Sequence, residues 1–146
     1  MPSSSRPYFG DGMPMPEISD DTKPFWDACS EQRFLVQRCA NCGLHRFPPR
    51  PVCSNCQSFS SEWTESAGVG QVFTYTVAYN TPHPVAQQEM PYNVTIVQLD
   101  DCDGGLVISN VLTASPEELR VGLRVVLAWE DRGDGQMMYR FRPLAG

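Results

Sequence analysis

The sequence has few of the residues and none of the motifs on which most catalytic sites depend. Its 146 residues include one lysine and two histidines. They contain no G-x-S-x-G nucleophile turn, no G-x-x-x-x-G-K-[ST] phosphate loop and no G-x-G-x-x-G dinucleotide motif. The usual catalytic sets are therefore absent, and no complete combination of nucleophile, base and oxyanion hole is visible.

Long apolar runs and an excess of basic residues are also missing. No apolar stretch approaches the roughly 20 residues of a membrane span, and the N-terminus lacks the basic-then-apolar pattern of a signal peptide. The 17 acidic residues against 11 Lys and Arg give a formal charge of -6, whereas a nucleic-acid binder normally carries a basic surface. We therefore expect a cytoplasmic protein whose default partner is not a nucleic acid.

Cysteine, by contrast, is concentrated in one place. Four of the six cysteines lie in "RCANCGLHRFPPRPVCSNCQ", residues 38–57, as two C-x-x-C pairs. Because each pair presents its sulfurs to the same point, the four can complete a tetrahedral zinc site with Zn–S distances of about 2.3 Å. The predicted ligands are Cys39, Cys42, Cys53 and Cys56.

Four protein sulfurs leave no open coordination position, so this zinc is expected to hold the fold rather than to activate water or a carbonyl. Gly43 follows the first pair, where such a turn often needs left-handed backbone, and Gln57 holds the equivalent place after the second. His45 is interpreted as a surface or supporting residue. A rubredoxin-type iron site has the same ligand set. Two disulfides, or clustered free cysteines, are disfavoured by the missing secretion signal.

The cysteine segment also has a local positive charge. From Arg33 to Ser61 there is no Asp or Glu, and four arginines fall in this window. The forked guanidinium donors of arginine suit phosphate groups. Arg46 and Arg50 are therefore candidate contacts for an anionic ligand such as a nucleotide phosphate, with a solvated ribbon surface as the alternative.

The length allows one ordinary domain plus a small metal-stapled module, but not two full hydrophobic cores. Residues 1–19, rich in Pro, Ser, Gly and Met, are predicted to form a flexible arm, with the alternative that the arm wraps a partner subunit through the apolar anchors Tyr8, Phe9, Met13 and Met15. Residues 20–62 are predicted to form a short helix and the zinc ribbon, with Asp21 or Thr22 as the helix cap and a proline in the first turn. Residues 63–146 are predicted to form one further domain.

In this last domain the hydrophobic pattern has a period of two. It predicts five strands, in the segments "GQVFTYTVAYN", "YNVTIVQLD", "LVISNVL", "RVVLAWED" and "QMMYRFRPL". One helical turn is predicted at "SPEE", between the third and fourth strands, and a tight turn at "DCDGG". A small Greek-key barrel of the OB type fits this order, with a five-stranded sandwich as the alternative. The predicted fold class is mainly β.

The loop "NTPHPVAQQEMPY", residues 80–92, joins the first two of these strands and carries His83. In OB barrels this loop commonly borders the ligand face, so His83 is a candidate to orient a substrate or a partner residue. A lone loop histidine is more often simply solvated. Neighbouring tyrosines are candidates to stack on an adenine ring, although strand aromatics are more often core residues. Cys102, placed between two aspartates, is a poor nucleophile.

Taken in order, these features resemble a known family. The chain is similar to the acyl-CoA-associated proteins that join a rubredoxin-like zinc ribbon to an OB-fold. The similarity lies in the segments "PFWDA", "FLVQRCANCGLHRFPPRPVCSNC", "GQVFTYTV", "PYNVTIVQLDDCDGGLVISNVL" and "LRVGLRVVLAWED" followed by "YRFRP". The likeness covers residues 20 to 143. The aromatic helix, "FPPR" between the cysteine pairs and "VGLRVVL" make it more specific than the cysteines alone.

The resemblance implies an accessory subunit of thiolase-like or hydratase-like enzymes that act on acyl-CoA thioesters, including aldolases of steroid side-chain breakdown and some acyltransferases. It assigns the ligand role to the four cysteines and places the catalytic residues mainly in the larger partner. It carries no sharp acyl-CoA motif, so the candidate ligand contacts are Arg46, Arg50 and His83.

Two other functions stay open from the sequence. One is a zinc ribbon and OB-fold protein that binds nucleic acid, which the negative charge and the single lysine disfavour. The other is an independent enzyme that uses His83. We expect the chain to be inactive on its own.

Overall fold

The computed structural model describes residues 8–10, 12–103, 105–113 and 115–144. Its helices are α1 (Lys23–Ser30) and α2 (Pro84–Gln87), and a 3-10 turn lies at Pro116–Glu118. Its strands are β1 (Phe34–Cys39), β2 (His45–Arg46), β3 (Ser61–Ser66), β4 (Val69–Ala78), β5 (Tyr92–Leu99), β6 (Leu106–Ser109), β7 (Arg124–Asp131) and β8 (Met137–Pro143). None of the helices in these ranges is long and apolar enough to cross a membrane.

The first three strands form the antiparallel ribbon sheet, in the order β2-β1-β3. Helix α1 precedes this sheet and buries Phe25, Ala28 and Cys29 on one face. Thr22 is the N-cap residue and a proline lies in the first turn, but the Thr22 side chain makes no capping hydrogen bond to the helix. It accepts instead from the backbone N–H of Ser19.

The other five strands form one antiparallel sheet in the order β6-β5-β4-β7-β8. A parallel bridge between Val111 and Phe141 joins the segment after β6 to β8, so the sheet curls into a half-barrel. Gly70 of β4 is paired with Leu99 of β5, and a side chain there would collide with the carbonyl oxygen of Gln98. The mainly β class and the five OB strands are confirmed. Gly104, in the predicted tight turn after β5, is outside the described residues.

One hydrophobic core serves both parts of the molecule, which agrees with the limit set by the chain length. Buried side chains of α1 and the ribbon pack in the same cluster as those of the half-barrel. From the first part come Phe25, Cys29, Phe34 and Val36, and from the second come Val72, Val97, Leu99, Cys102, Val107, Val111, Leu119, Val125 and Phe141. The ribbon therefore does not pack as a separate body.

Aromatic rings close the junction between the ribbon and β8. The ring of Phe25 lies at centroid distances of 5.0 to 5.6 Å from the rings of Trp26, Phe34, Phe47 and Tyr139, in edge-to-face contacts. Such contacts stabilise a core by roughly 0.5–1.5 kcal/mol per pair beyond the area they bury. The "FPPR" segment thus contributes Phe47, a partly buried side chain that packs against the core, and it is not only a linker between the cysteine pairs.

Candidate metal centre and barrel mouth

The two C-x-x-C turns meet at one end of the ribbon. The four sulfur atoms of Cys39, Cys42, Cys53 and Cys56 all lie within 4.8 Å of one another. The Sγ atoms of Cys39 and Cys56 are 3.5 Å apart, and those of Cys42 and Cys53 are 3.6 Å apart. A tetrahedral zinc with bonds of about 2.3 Å has S–S edges of about 3.8 Å. The cluster therefore fits a tetrahedral metal, and none of the four cysteines forms a disulfide.

The backbone builds the two turns in the same way. The N–H of Gly43 donates to the carbonyl of Cys39 at 3.0 Å, and the N–H of Gln57 donates to the carbonyl of Cys53 at 2.9 Å. Both residues have a left-handed backbone, with φ of 83° at Gly43 and 62° at Gln57. Gln57 therefore adopts the same left-handed conformation as Gly43, which a polar residue other than glycine does only occasionally.

Backbone N–H groups point at the buried sulfurs. The backbone nitrogen of Cys42 lies 3.4 Å from the Sγ of Cys39, and the backbone nitrogen of Asn55 lies 3.4 Å from the Sγ of Cys53. The Cys42 N–H is the main cause that lowers the pKa of Cys39 to about 6, and the N–H of Cys56 is the main cause that lowers the pKa of Cys53. Thiolates are the form that binds a metal, so these N–H groups favour the metal-binding form of Cys39 and Cys53.

The other two cysteines lie in the core. Cys29 and Cys102 are 0% and 2% exposed. Burial raises the pKa of each thiol to about 12, and the carboxylate of Asp101 adds to the effect at Cys102. Neither thiol is a nucleophile at neutral pH, as the sequence indicates for Cys102.

The two candidate arginines take different positions. Arg46 is 2% exposed, and its guanidinium donates from Nε to Gln37 Oε1 at 2.9 Å and from Nη2 to the carbonyl of Arg50 at 2.7 Å. Its Nη1 is buried with no hydrogen-bond partner among the described residues. The side chain of Arg50 is exposed. Arg46 therefore fixes the loop that presents Arg50 and does not itself face solvent.

His83 begins a short helix in a segment for which the sequence predicts a loop. It is the N-cap of α2, and its Nδ1 accepts a hydrogen bond from the N–H of Val85 at 3.3 Å. No described hydrogen bond or ion pair joins His83 to Arg46 or Arg50. Its observed role is local, since it satisfies a backbone donor at the helix start.

A buried polar network inside the half-barrel was not predicted. Asn93 Oδ1 accepts from the N–H of Val111 at 2.9 Å and from Thr95 Oγ1 at 2.8 Å. Arg140 donates to Asn110 Oδ1 at 2.9 Å and to both carboxylate oxygens of Glu130 at 3.2 Å. The signal in the sequence is the pair of polar residues at the inward positions of "YNVTIVQL", where alternation calls for apolar side chains.

Two family descriptions match this arrangement of a four-sulfur ribbon and an OB half-barrel. Residues 26–62 match "ChsH2, rubredoxin-like zinc ribbon domain", and residues 63–130 match "ChsH2, C-terminal OB-fold domain". The chain belongs to this ChsH2 family, in which a rubredoxin-like zinc ribbon precedes an OB-fold. The resemblance drawn from the sequence is confirmed.

Relatives extend the match over most of the chain. A probable enoyl-CoA hydratase alpha subunit of Thermomonospora curvata is 38% identical over 130 residues, which are 89% of this chain and 40% of that protein. The chain therefore spans two-fifths of that relative's length. A DUF35 domain-containing scaffold protein of Methanocaldococcus jannaschii is 30% identical over 127 residues, 82% of this chain and 88% of that protein.

Solved structures show the same fold. A chain of the "Ltp2-ChsH2(DUF35) aldolase" superposes with a TM-score of 0.77 at 37% identity, covering 88% of this chain and 98% of that one. A DUF35-family protein of unknown function from Sulfolobus solfataricus superposes with a TM-score of 0.59 at 16% identity, covering 86% of each chain. The second likeness concerns the fold alone.

Proposed function

We propose that this chain is an accessory subunit that docks on a thiolase-like or hydratase-like enzyme and helps to position its acyl-CoA thioester. The relatives support this proposal, since one is named as a hydratase subunit, one as a scaffold protein and one as part of an aldolase. The reaction of the assembly is expected to belong to lipid or steroid side-chain metabolism.

The observation that carries the proposal is the closed four-sulfur cluster. Cys39, Cys42, Cys53 and Cys56 would hold one structural Zn²⁺, which leaves no open position for a substrate. The two remaining thiols are buried and have raised pKa values. The chain thus offers a rigid ribbon and barrel, while the groups that break and form bonds are expected in the partner.

Of the three predicted ligand residues, Arg50 and His83 remain candidates for contact with the acyl-CoA, and Arg46, which is 2% exposed, would act only through Arg50. Arg50 has an exposed guanidinium that can reach a phosphate, and Arg46 fixes the backbone carbonyl of Arg50. His83 lies at the start of α2, in the connection between β4 and β5. An Arg50→Ala variant should therefore weaken CoA-ester binding, whereas an Arg46→Ala variant should loosen the ribbon itself.

Reconstitution tests the proposal directly. The purified chain, the thiolase-like or hydratase-like subunit that co-purifies with it from the native cell, and an equimolar mixture are assayed with a CoA thioester. We expect no turnover by the chain alone, a stable complex by size-exclusion chromatography, and increased turnover or solubility of the larger subunit in the mixture. Full activity of the chain alone would overturn the accessory role.

Calorimetry separates this function from nucleic-acid binding. The complex is titrated at physiological salt with an acyl-CoA and with a single-stranded oligonucleotide. The formal charge of -6 repels a polyanion, whereas a local group of arginines can hold a few phosphates. Acyl-CoA should bind more tightly. Micromolar oligonucleotide binding without detectable acyl-CoA binding would instead favour a nucleic-acid protein.

A further inference from the structure

Tyr8 and Phe9 pack against Asn93 of β5, Glu130 of β7 and Arg140 of β8, a region that we call the mouth of the half-barrel. The Oη of Tyr8 accepts hydrogen bonds from the N–H and from the Nδ2 of Asn93, both at 3.2 Å. The N–H of Tyr8 donates to Glu130 Oε1 at 2.6 Å. The guanidinium carbon of Arg140 lies 5.7 Å from the centre of the Tyr8 ring and 5.6 Å from that of Phe9, within the range of a cation–π contact.

The groups that hold the Tyr8 ring are fixed by other parts of the barrel. Asn93 is 6% exposed, and its amide is oriented by Val111 on both sides: Oδ1 accepts from the Val111 N–H, and Nδ2 donates to the Val111 carbonyl at 2.8 Å. Arg140 is 9% exposed and is held by Glu130 and Asn110. These donors therefore keep their positions whether or not Tyr8 is in place, which is the arrangement of a preformed binding site.

A cavity of about 160 Å³ lies directly beside the Tyr8 ring. Its walls combine apolar and hydrogen-bonding groups, among them Val77, Pro91, Tyr92, Asn93 and Thr113. An apolar cavity of roughly 150 Å³ is large enough to bind benzene. The space at the barrel mouth, together with the volume of the Tyr8 side chain, is therefore sufficient for a planar ring with substituents.

We propose that the mouth of the OB half-barrel is a binding site for a planar aromatic ring with a hydrogen-bond acceptor on its edge, and that Tyr8 is its internal occupant. The two Asn93 donors recognise the acceptor atom, Arg140 contacts the face of the ring, and Glu130 accepts from a donor beside it. A phenol and a nucleobase both provide this chemistry. The proposal does not depend on the accessory function.

The Tyr8 segment is suited to exchange with a ligand. Residues 8–10 and 12–19 form no helix or strand, so no backbone ladder holds them in place. Beyond the Tyr8 and Phe9 contacts, Arg132 Nη2 donates to the carbonyl of Met13 at 2.9 Å. When Tyr8 leaves, the buried N–H groups of Asn93 lose their acceptor, which is costly and favours a ligand that replaces it.

Binding of small aromatic probes to the full chain and its variants tests the site. Tyr8→Ala opens the mouth, and Tyr79→Ala is the matched control because Tyr79 is 72% exposed. The probes are p-cresol, which is the tyrosine side chain itself, toluene, which lacks the acceptor, and adenosine. For Tyr8→Ala, p-cresol should bind at least about tenfold more tightly than toluene, as expected for two neutral hydrogen bonds. It should also bind Tyr8→Ala at least about tenfold more tightly than the wild type or Tyr79→Ala, where Tyr8 competes.

Each outcome decides the question. Where p-cresol binds Tyr8→Ala more tightly than toluene, tighter binding of adenosine than of p-cresol assigns a nucleobase as the ligand, and the reverse assigns a phenol. Equal binding of p-cresol and toluene, equal binding to wild type and Tyr8→Ala, or no binding of p-cresol and adenosine would overturn the proposal. If Tyr8→Ala does not fold, Tyr8→Phe keeps the ring and removes only the acceptor. Amide hydrogen exchange at Asn93 should then be at least about threefold faster than in the wild type; unchanged exchange would contradict the site.

Discussion

His45 Nδ1 lies 2.8 Å from Asp103 Oδ1, and the backbone N–H of His45 donates to the same oxygen at 3.2 Å. The pair joins β2 of the ribbon to the connection between β5 and β6 of the half-barrel. The His45 side chain and backbone N–H both lower the pKa of Asp103. His45 thus lies outside the sulfur cluster and links the ribbon to the half-barrel.

Asp103→Ala should loosen β2 without unfolding the protein. Because the Asp103 side chain is 70% exposed, the contact contributes no more than about 1 kcal/mol to the free energy of unfolding. The local effect should be larger, since two hydrogen bonds to His45 are lost. Hydrogen exchange at residues 45 and 46 should become faster, while Glu117→Ala, at an exposed acid of the 3-10 turn, should leave it unchanged. Equal exchange in both variants would refute the link.

Cysteine substitutions should separate the metal ligands from the core cysteines. Cys53→Ser removes a predicted ligand, so the purified protein should lose most of its metal and the ribbon should become mobile, because metal binding and local folding are linked. Elemental analysis should give one Zn²⁺ per chain for the wild type. An absorption spectrum distinguishes iron, which a rubredoxin-type site also accepts.

Cys29→Ser and Cys102→Ser are the controls for that experiment. Both residues are buried in the shared core and lie outside the cluster, so metal content should stay at the wild-type value while stability falls by roughly 1–3 kcal/mol for a buried hydroxyl. Loss of metal in either control would mean that the ligand set is wrong.

Much of this architecture follows from local sequence rules. The cysteine spacing, Gly43 and the period-two segments determine the ribbon and the five strands, because they depend on backbone conformation and on one buried face. The helix that contains "PFWDA" follows from the same rule, since Phe25, Ala28 and Cys29 share a face.

The contacts between distant segments could not be read in this way. Arg46 looks like a surface cation in the sequence, yet its guanidinium is buried because the Arg50 carbonyl and Gln37 accept from it. His83 looks like a free loop residue, but it caps a four-residue helix. In both cases the side chain is positioned by a hydrogen bond to a backbone group. No local sequence pattern predicts that hydrogen bond.

Asp101→Asn should reveal how β3 is attached to the barrel. Asp101 accepts from Ser66 Oγ at 2.8 Å and from the N–H of Ala67 at 2.9 Å. Partial burial raises the pKa of Asp101, but the hydrogen bonds from Ala67 and Ser66 outweigh it, and the net shift is downward. A lowered pKa stabilises the folded state fully above the unfolded pKa of about 3.9, and this stabilisation is lost as the pH falls through the folded value.

The variant should therefore be less stable than the wild type at pH 7, by about 1 kcal/mol or less for so exposed a group. The difference should shrink as the pH falls below about 4. Urea unfolding at pH 7 and at pH 3 measures it. Asp20→Asn, at an exposed carboxyl near the start of α1, is the control and should show no such difference. A constant gap between Asp101→Asn and wild type at both pH values would exclude the charged carboxylate as the cause.

Substitution of His83 distinguishes a capping role from a catalytic one in the assembled enzyme. Asparagine is a good N-cap residue, whereas alanine is a poor one and costs about 1 kcal/mol at such a position.

If His83 only caps α2, His83→Asn should retain nearly full activity of the complex and His83→Ala should reduce it by less than about tenfold. Loss of a general acid or base instead costs roughly 100-fold or more, and it would affect both variants equally because neither side chain transfers a proton. We expect the first pattern, because the hydrogen bond from the Val85 N–H to Nδ1 gives His83 a structural role at the start of α2, and no described hydrogen bond or ion pair joins it to Arg46 or Arg50. Steady-state assays of the larger subunit with wild-type, His83→Asn and His83→Ala chains decide between the two, and an equal loss of 100-fold in both variants would make His83 part of a shared active site.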